Sequence, residues 1–427
     1  MYSELEKMYK VIYPENDAAT YQSLMNFSGD LNKKFQRWFR YKEGYSTKLV
    51  ERLISEYSET TKGVILDPFL GSGSTIIAAN NLGFSGIGFE VNPFSYFLSK
   101  LKLHNYTEKE LVDFKINVDR LLNGEYENYN QWPLPKLSIS QNVFNDDIRV
   151  LMMKIKTFIK EIKQPVVRDL LLLGWLSVIE SVSNYRKAGN GLKKKKYVIP
   201  RVITKEDVVE SLKLTYQSMI EDIANSDAKI DSQIYNVSNS TMLDYIGKES
   251  IDGIIYSPPY ANCFDYTEIY KLELWFGDFV NEYSDLKLLR NSSLRSHLNG
   301  LLEQEKINSH DDLLNSFIEK IDVDNLWSKK IPSMLSGYFS DMKNILQQSY
   351  ELLKPGGFCS IVVGNSSYGG VIIPTDLILA NYAENLGFTV DKIEVDRYII
   401  TSSQQYHATK DLGKYLRESV ICLQKQK

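Results

Sequence analysis

The sequence predicts an α/β protein on an open, mostly parallel sheet, and three observations carry that prediction. A strand, a glycine-rich turn, a helix and a second strand follow one another between Val64 and Glu90. A later block of apolar, β-branched runs has strand length, and each run ends in turn or loop residues. Two stretches of different character, one helical and one polar, separate these blocks.

The elements are legible in order. Val64-Ile65-Leu66 is a short apolar run ending at Asp67-Pro68. Gly71-Ser72-Gly73 makes the turn, Ser74–Leu82 the helix, and Gly83 closes it. Gly86–Phe89 is the next strand, with Glu90 at its carboxyl end, where open α/β sheets bind ligands. Ile234–Val237, Ile251–Tyr256 and Phe358–Val363 follow as strands, trailed by Asn239, Ser257-Pro258-Pro259 and Gly364-Asn365. Leu346–Leu353 predicts a helix stopped by Lys354-Pro355-Gly356-Gly357. Pro374–Leu386 is another, and Val390–Val395 and Ser419–Leu423 are closing strands. Residues 105–230 are helical in pattern, including Val166–Ser183 and Asp207–Ala224. Residues 276–335 are polar, with turn signals at Asn291-Ser292-Ser293 and Asn299-Gly300. Both are expected to be insertions, leaving 1–104, 231–275 and 336–427 as parts of one core domain.

At 427 residues the chain suits a core domain plus insertions. Hydrophobic residues at 43% and charged residues at 24% exclude wholesale disorder. The net charge of −4 announces no nucleic-acid binder, but a DNA surface needs only local positive charge. Cys263, Cys359 and Cys422 form no CxxC pair, which excludes a disulfide framework and a sequence-local zinc cluster. No metal site is predicted. Met1–Lys10 is charged and lacks an apolar core, and Leu170–Ile179 is too short for the roughly 20 residues that span a bilayer. A soluble, cytoplasmic protein without a membrane partner is expected.

Two motifs carry chemistry. In Asp67-Pro68-Phe69-Leu70-Gly71-Ser72-Gly73-Ser74-Thr75 the glycines let backbone pass close to a ligand. A phosphate loop needs a lysine here and a dinucleotide fingerprint a third glycine, and both are missing. The loop suits a nucleoside with a zwitterionic tail, Asp67 facing its ammonium and Glu90 accepting from both ribose hydroxyls. Alone, it suits equally a glycine-rich turn of an unrelated α/β fold. The second motif is Ser257-Pro258-Pro259-Tyr260. A ring-conjugated amino nitrogen is a poor nucleophile because its lone pair is delocalised. Ser257 Oγ and the Pro258 carbonyl can each accept one amino hydrogen and favour the more tetrahedral, charge-developing transition state. Proline fixes the backbone there, and Tyr260 can stack on a base that has left its duplex. A plain Pro-Pro turn with a packed tyrosine is the competing reading.

Together these motifs resemble the S-adenosylmethionine-dependent DNA amino-methyltransferases, which carry a DPF-x-G-x-G loop and an (S/N/D)PPY motif. Phe35-Gln36-Arg37-Trp38-Phe39-Arg40-Tyr41 with Gly44-Tyr45-Ser46 looks like the family's N-terminal motif, which closes over the methionine end of the cofactor. Gln36 stands where histidine is expected. Leu352–Gly357, Val362–Ser366 and Arg417–Val420 are similar to its later elements. The resemblance covers about half the chain and implies a Rossmann-like class I methyltransferase sheet of about seven strands. It implies S-adenosyl-L-methionine as cofactor, held by Tyr45, Ser46, Asp67, Pro68, Phe69, Gly71, Gly73, Glu90 and Asp244, with Asp244 at the adenine. A solvated turn suits Asp244 equally, and Asn365 suits either the target pocket or a strand-end cap. Ser257, Pro258, Pro259 and Tyr260 are the implied catalytic residues. In this family serine at the first position usually goes with cytosine N4, and aspartate or asparagine with adenine N6. Ring-carbon methylation needs a Pro-Cys nucleophile, which is absent. Cys263, three residues past Tyr260, reads as a packed small hydrophobe.

Double-stranded DNA is the expected partner, with a cognate restriction endonuclease as a further candidate. Arg186, Lys187, Lys193, Lys194, Lys195, Lys196 and Arg201 concentrate positive charge beside glycines and favour phosphate contact, although such a run alone reads as a solvated loop. Arg290, Asn291 and Arg295 are suitable donors for base readout. The expected reaction has no covalent enzyme intermediate: a flipped base attacks the sulfonium methyl in line. Adenine N6 methylation, an RNA amino-methyltransferase and a non-catalytic DNA-binding subunit are the competing functions.

Overall fold

The computed structural model describes residues 1–15, 27–42, 44–189, 191–196, 202–300, 311–399 and 410–427. Among the described residues, eight strands form the main sheet. In chain order they are β1 (Val11–Ile12), β2 (Val64–Asp67), β3 (Ser85–Phe89), β4 (Gln233–Tyr235), β5 (Ile251–Tyr256), β6 (Leu353–Gly364), β7 (Phe388–Tyr398) and β8 (Arg417–Lys425). Their spatial order is β1-β7-β8-β6-β5-β2-β3-β4. Only β8 runs antiparallel to both its neighbours; every other pair is parallel. The class I methyltransferase sheet is therefore present, with the two-residue β1 as an added edge.

The sheet is buried on both faces, as parallel sheets are. Alternation along each strand sends neighbours to opposite sides. Leu66 and Ile254 pack with the helices Ile331–Leu352 and Thr375–Leu386. Ile65 and Ile255 pack with the helix Thr47–Tyr57 and with Ala78 and Ala79 on the other side. A third core joins the first insertion to the N-terminal motif: Phe35, Trp38 and Phe39 are buried with Leu170–Leu173, Trp175 and Tyr216. Asp222 ties the two, accepting from Phe35 N at 2.8 Å and from Trp38 Nε1 at 2.9 Å.

The first insertion is helical, as expected, with helices Glu108–Leu122, Asp146–Glu161, Pro165–Val182 and Lys205–Ala224. The expected basic loop is instead a β-hairpin, Tyr185–Ala188 paired with Gly191–Lys194. The expected end of the second insertion at 335 falls inside a 22-residue helix, Ile331–Leu352. Pro332 in its first turn starts it without an N–H to satisfy, and Gly337 with polar neighbours masks its apolar period. Among the described residues no helix is long and apolar enough to cross a membrane.

Candidate active site

The glycine turn is built from β2 outward. Asp67 ends the strand, and its Oδ1 accepts from Phe69 N at 2.8 Å, bending the chain. Its Oδ2 accepts from the Tyr45 hydroxyl at 3.2 Å and from Thr75 Oγ1. Gly71 has φ +52°, a conformation that strains any side-chain-bearing residue, and a Cβ there would lie 3.3 Å from the Tyr41 hydroxyl. Gly71 N donates to Glu90 Oε2 at 2.8 Å, and Asn92 N donates to Glu90 Oε1 at 2.8 Å. The turn is also held from beneath. Ser99 Oγ donates to Gly71 O at 2.8 Å, and buried Lys102 donates to Ser72 O at 3.1 Å and Gln36 Oε1 at 3.0 Å. Gln36, the departure from the expected histidine, thus links the N-terminal motif to the turn.

Parallel pairing of β5 with β2 sets Ser257 beside this turn, because both strands end at the same sheet edge. Gly71 and Ser257 line one cavity that opens to solvent. Asp67, Pro68, Phe69, Glu90, Tyr45 and Pro259 also line it. Ser257 Oγ donates to Val362 O on β6 at 3.1 Å. A hydroxyl that has given away its hydrogen meets a ligand as an acceptor.

Electrostatics distinguish the cavity. Burial pushes the Asp67 carboxyl up to about 6 and the Glu90 carboxyl up to about 7, against the lowering effect of their hydrogen bonds. No lysine or arginine among the described residues pairs with either. Two carboxylates poised in this way are complementary to a ligand bearing an ammonium and a ribose. With the cradle at Gly71, the residues present fit S-adenosylmethionine.

Several expected site residues do not line this cavity. Asp244 is exposed at the end of the 3-10 helix Asn239–Asp244 and does not line the cavity. The start of that helix does instead: Asn239 lines the cavity and donates to Pro68 O at 2.8 Å. Ser46 is buried as the N-cap of the helix Thr47–Tyr57, accepting from Leu49 N. Gly73 caps the helix Ser74–Asn81 at φ +82°. Pro258 is buried, and Tyr260 packs so closely on Gly364 that a Cβ there would lie 2.8 Å from its ring. Asn365 is a buried strut, donating to Asp376 and to Tyr415 O. Cys263 is buried, and burial raises its thiol pKa, as suits a packed hydrophobe.

The basic residues divide in two. Arg186, Lys193, Lys194 and Lys196 are exposed on or beside the hairpin. Lys187 is instead enclosed, pairing with buried Glu273 at 2.7 Å beneath Phe39 and Tyr270. Lys195 donates to the carbonyls of Glu180, Ser181 and Ser183, closing a helix end. Arg290 pairs with Asp265 and Glu268, and Arg295 with Asp341. Each of these four cations has partners within the fold itself. Arg201 lies outside the described residues.

The structure adds residues that the sequence did not mark. Asp265, Thr267, Ser292, Ser293, Ser296 and His297 line the cavity from the loop after Tyr260 and from the second insertion. No spacing in the chain links them to the glycine turn.

A family model described as DNA methylase matches residues 6–100, which span the N-terminal motif and the glycine turn. The chain is 28% identical to the type II methyltransferase M.AvaI of Nostoc sp., over 93% of this chain and 87% of that protein. It is 28% identical to M.BsoBI of Geobacillus stearothermophilus, over 99% and 91%, and 24% identical to M.MvaI of Kocuria varians, over 79% of each. Over most of its length the chain is thus similar to type II DNA methyltransferases, and its N-terminal part matches the DNA methylase family model. As a DNA amino-methyltransferase it is an enzyme whose methyl donor is S-adenosylmethionine.

Proposed function

We propose that this amino-methyltransferase modifies the N4 amino group of cytosine in double-stranded DNA. One observation carries the reading: Ser257, its hydrogen already given to Val362, meets the cavity shared with Gly71 as an acceptor. Serine is also the residue that resemblance to the family associates with cytosine. S-adenosylmethionine, when bound, supplies an electrophilic methyl group on a sulfonium. Asp67 would hold its ammonium, Glu90 its ribose, and Tyr45, Pro68, Phe69 and Gly71 the rest. Ser257 Oγ and the Pro258 carbonyl each take one amino hydrogen, which orients the nitrogen lone pair and offsets the positive charge that develops on it. Tyr260, braced by Gly364, supports the flipped base. Mass spectrometry of nucleosides from DNA methylated by the purified chain is expected to show N4-methylcytosine. N6-methyladenine there would overturn the cytosine assignment while keeping the amino-group chemistry.

The two raised carboxyls give a pH signature. Each is neutral in the empty cavity below its own value, about 6 for Asp67 and about 7 for Glu90. A cationic ligand favours the ionised forms, so it must expel protons to bind at low pH. Cofactor affinity, measured by calorimetry, is expected to be full above about pH 7 and to fall as pH drops through 7 and 6, with proton release on binding in that window. The sign for folding is opposite. A carboxyl raised by folding favours the empty protein below its unfolded value, and that contribution is lost as pH rises through 6 and 7. A cofactor affinity that is flat between pH 5.5 and 8 would remove Asp67 and Glu90 from the ligand.

DNA contact is assigned to the exposed cations of the hairpin, and the first insertion to DNA binding as a whole. The triple replacement of Lys193, Lys194 and Lys196 by alanine is expected to weaken DNA binding across all sequences. It should also lower the salt slope by roughly 0.9 for each phosphate that is no longer neutralised. An unchanged slope would discard the hairpin. Because the relatives are named type II methyltransferases, a cognate restriction endonuclease is the proposed partner and the cytoplasm the proposed location.

A further inference from the structure

Among the described residues, the cavity wall at the second insertion holds a polar group whose bonding is unfinished. Asp265 is fully engaged: its Oδ1 accepts from Thr267 N at 2.9 Å and Thr267 Oγ1 at 2.6 Å. Its Oδ2 accepts from Arg290 Nε at 2.9 Å and Asn299 Nδ2 at 3.0 Å. Arg290 turns its remaining reach to Glu268. His297 lines the same cavity, is 4% exposed, and its Nδ1 is buried without a hydrogen-bond partner among the described residues. A buried, unfilled polar nitrogen is costly unless a ligand completes it.

We propose that His297 reads the ring edge of the flipped base, donating an imidazole N–H to the ring nitrogen beside the amino group held at Ser257. The proposal rests on the amino-methylation reading and assigns a specificity residue within it. Cytosine presents N3 at that position and adenine N1, both acceptors. The amino hydrogens are claimed by Ser257 and the Pro258 carbonyl, so the ring nitrogen requires a donor. A carboxylate would repel it, and Asp265 is already capped by Arg290, Asn299 and Thr267. A cationic donor would draw the amino lone pair further into the ring and blunt its nucleophilicity. A neutral imidazole positions the base without that penalty. Burial keeps His297 in this form, lowering its pKa together with Arg290 against the opposing pull of Asp265.

The test is a cycle that pairs a protein change with a base change, using the full chain, S-adenosylmethionine and duplexes carrying the mapped target. His297→Ala on the normal duplex and wild type on a duplex with 3-deazacytosine at the target are each expected to lower kcat/KM on the order of tenfold to a hundredfold. The double combination is expected to be no slower than the worse single, since both delete one contact. His297→Gln, which keeps a donor, should recover part of the loss on normal DNA only. Cofactor affinity by calorimetry should be unchanged in both variants, which also reports that they fold. Multiplying effects, wild-type kcat/KM in His297→Ala, or loss of cofactor affinity would each overturn the contact. Were adenine the target, 1-deazaadenine would close the same cycle. Wild-type protein that methylates no DNA amino group would instead sink the parent reading.

Discussion

Replacing Ser257 by alanine is expected to lower methyl transfer by about a hundredfold to a thousandfold and to leave cofactor affinity unchanged. In the proposed reaction the hydroxyl faces the amino nitrogen on which positive charge develops, and it is prealigned by its bond to Val362 O at 3.1 Å. An acceptor that is fixed before reaction requires no reorganisation in the transition state, so its removal is felt mainly in kcat. The substitution removes one small, half-buried oxygen from the end of β5 and leaves the strand pairing to β2 and β6 intact. Single-turnover transfer from labelled cofactor, beside calorimetry, separates the two quantities. Near-wild-type transfer by Ser257→Ala would remove the hydroxyl from the chemistry and leave the Pro258 carbonyl as the sole proposed acceptor.

The second large effect belongs to Asp67. Asp67→Asn keeps the size of the side chain and an oxygen to accept from Phe69 N, but takes away the negative charge. Loss of a charge-assisted bond to an ammonium weakens cofactor binding by about 1.5–3 kcal/mol, roughly tenfold to a hundredfold and more. The folding consequence runs the other way. Asp67 is buried without a cation partner among the described residues, and its raised pKa shows that the empty protein gains from its neutral form. The variant without cofactor is therefore expected to melt no lower than wild type near pH 7.5, while the stabilisation that cofactor confers shrinks. Thermal melts with and without S-adenosylmethionine measure both. A variant that melts lower but binds the cofactor normally would assign Asp67 to the scaffold.

The sequence by itself determined the sheet and where its two motifs fall along it. Strand runs such as Ile251–Tyr256 match the structure residue for residue, and the glycine turn and Ser257 lie where their strands end. That information is local: a continuous apolar run, a positive-φ glycine and a strand terminus act within a few residues, so a linear reading captures them. What lay outside a linear reading was decided by packing. Four lysines in a row look equivalent in sequence, but a two-stranded hairpin leaves both faces open, so Lys193 and Lys194 are exposed, while Lys195 just beyond it reaches the carbonyls at a helix end. Arg290 and Arg295 look unpaired in sequence, but Asp265, Glu268 and Asp341 stand beside them in the fold. Asp244 fits a motif, yet the helix that carries it brings Asn239 to the cavity instead. His297, 230 positions from Asp67 in the numbering, reaches the same cavity only because the second insertion folds back across the sheet edge. Charge partners and cavity walls are long-range properties, set by which surfaces meet once the core has formed.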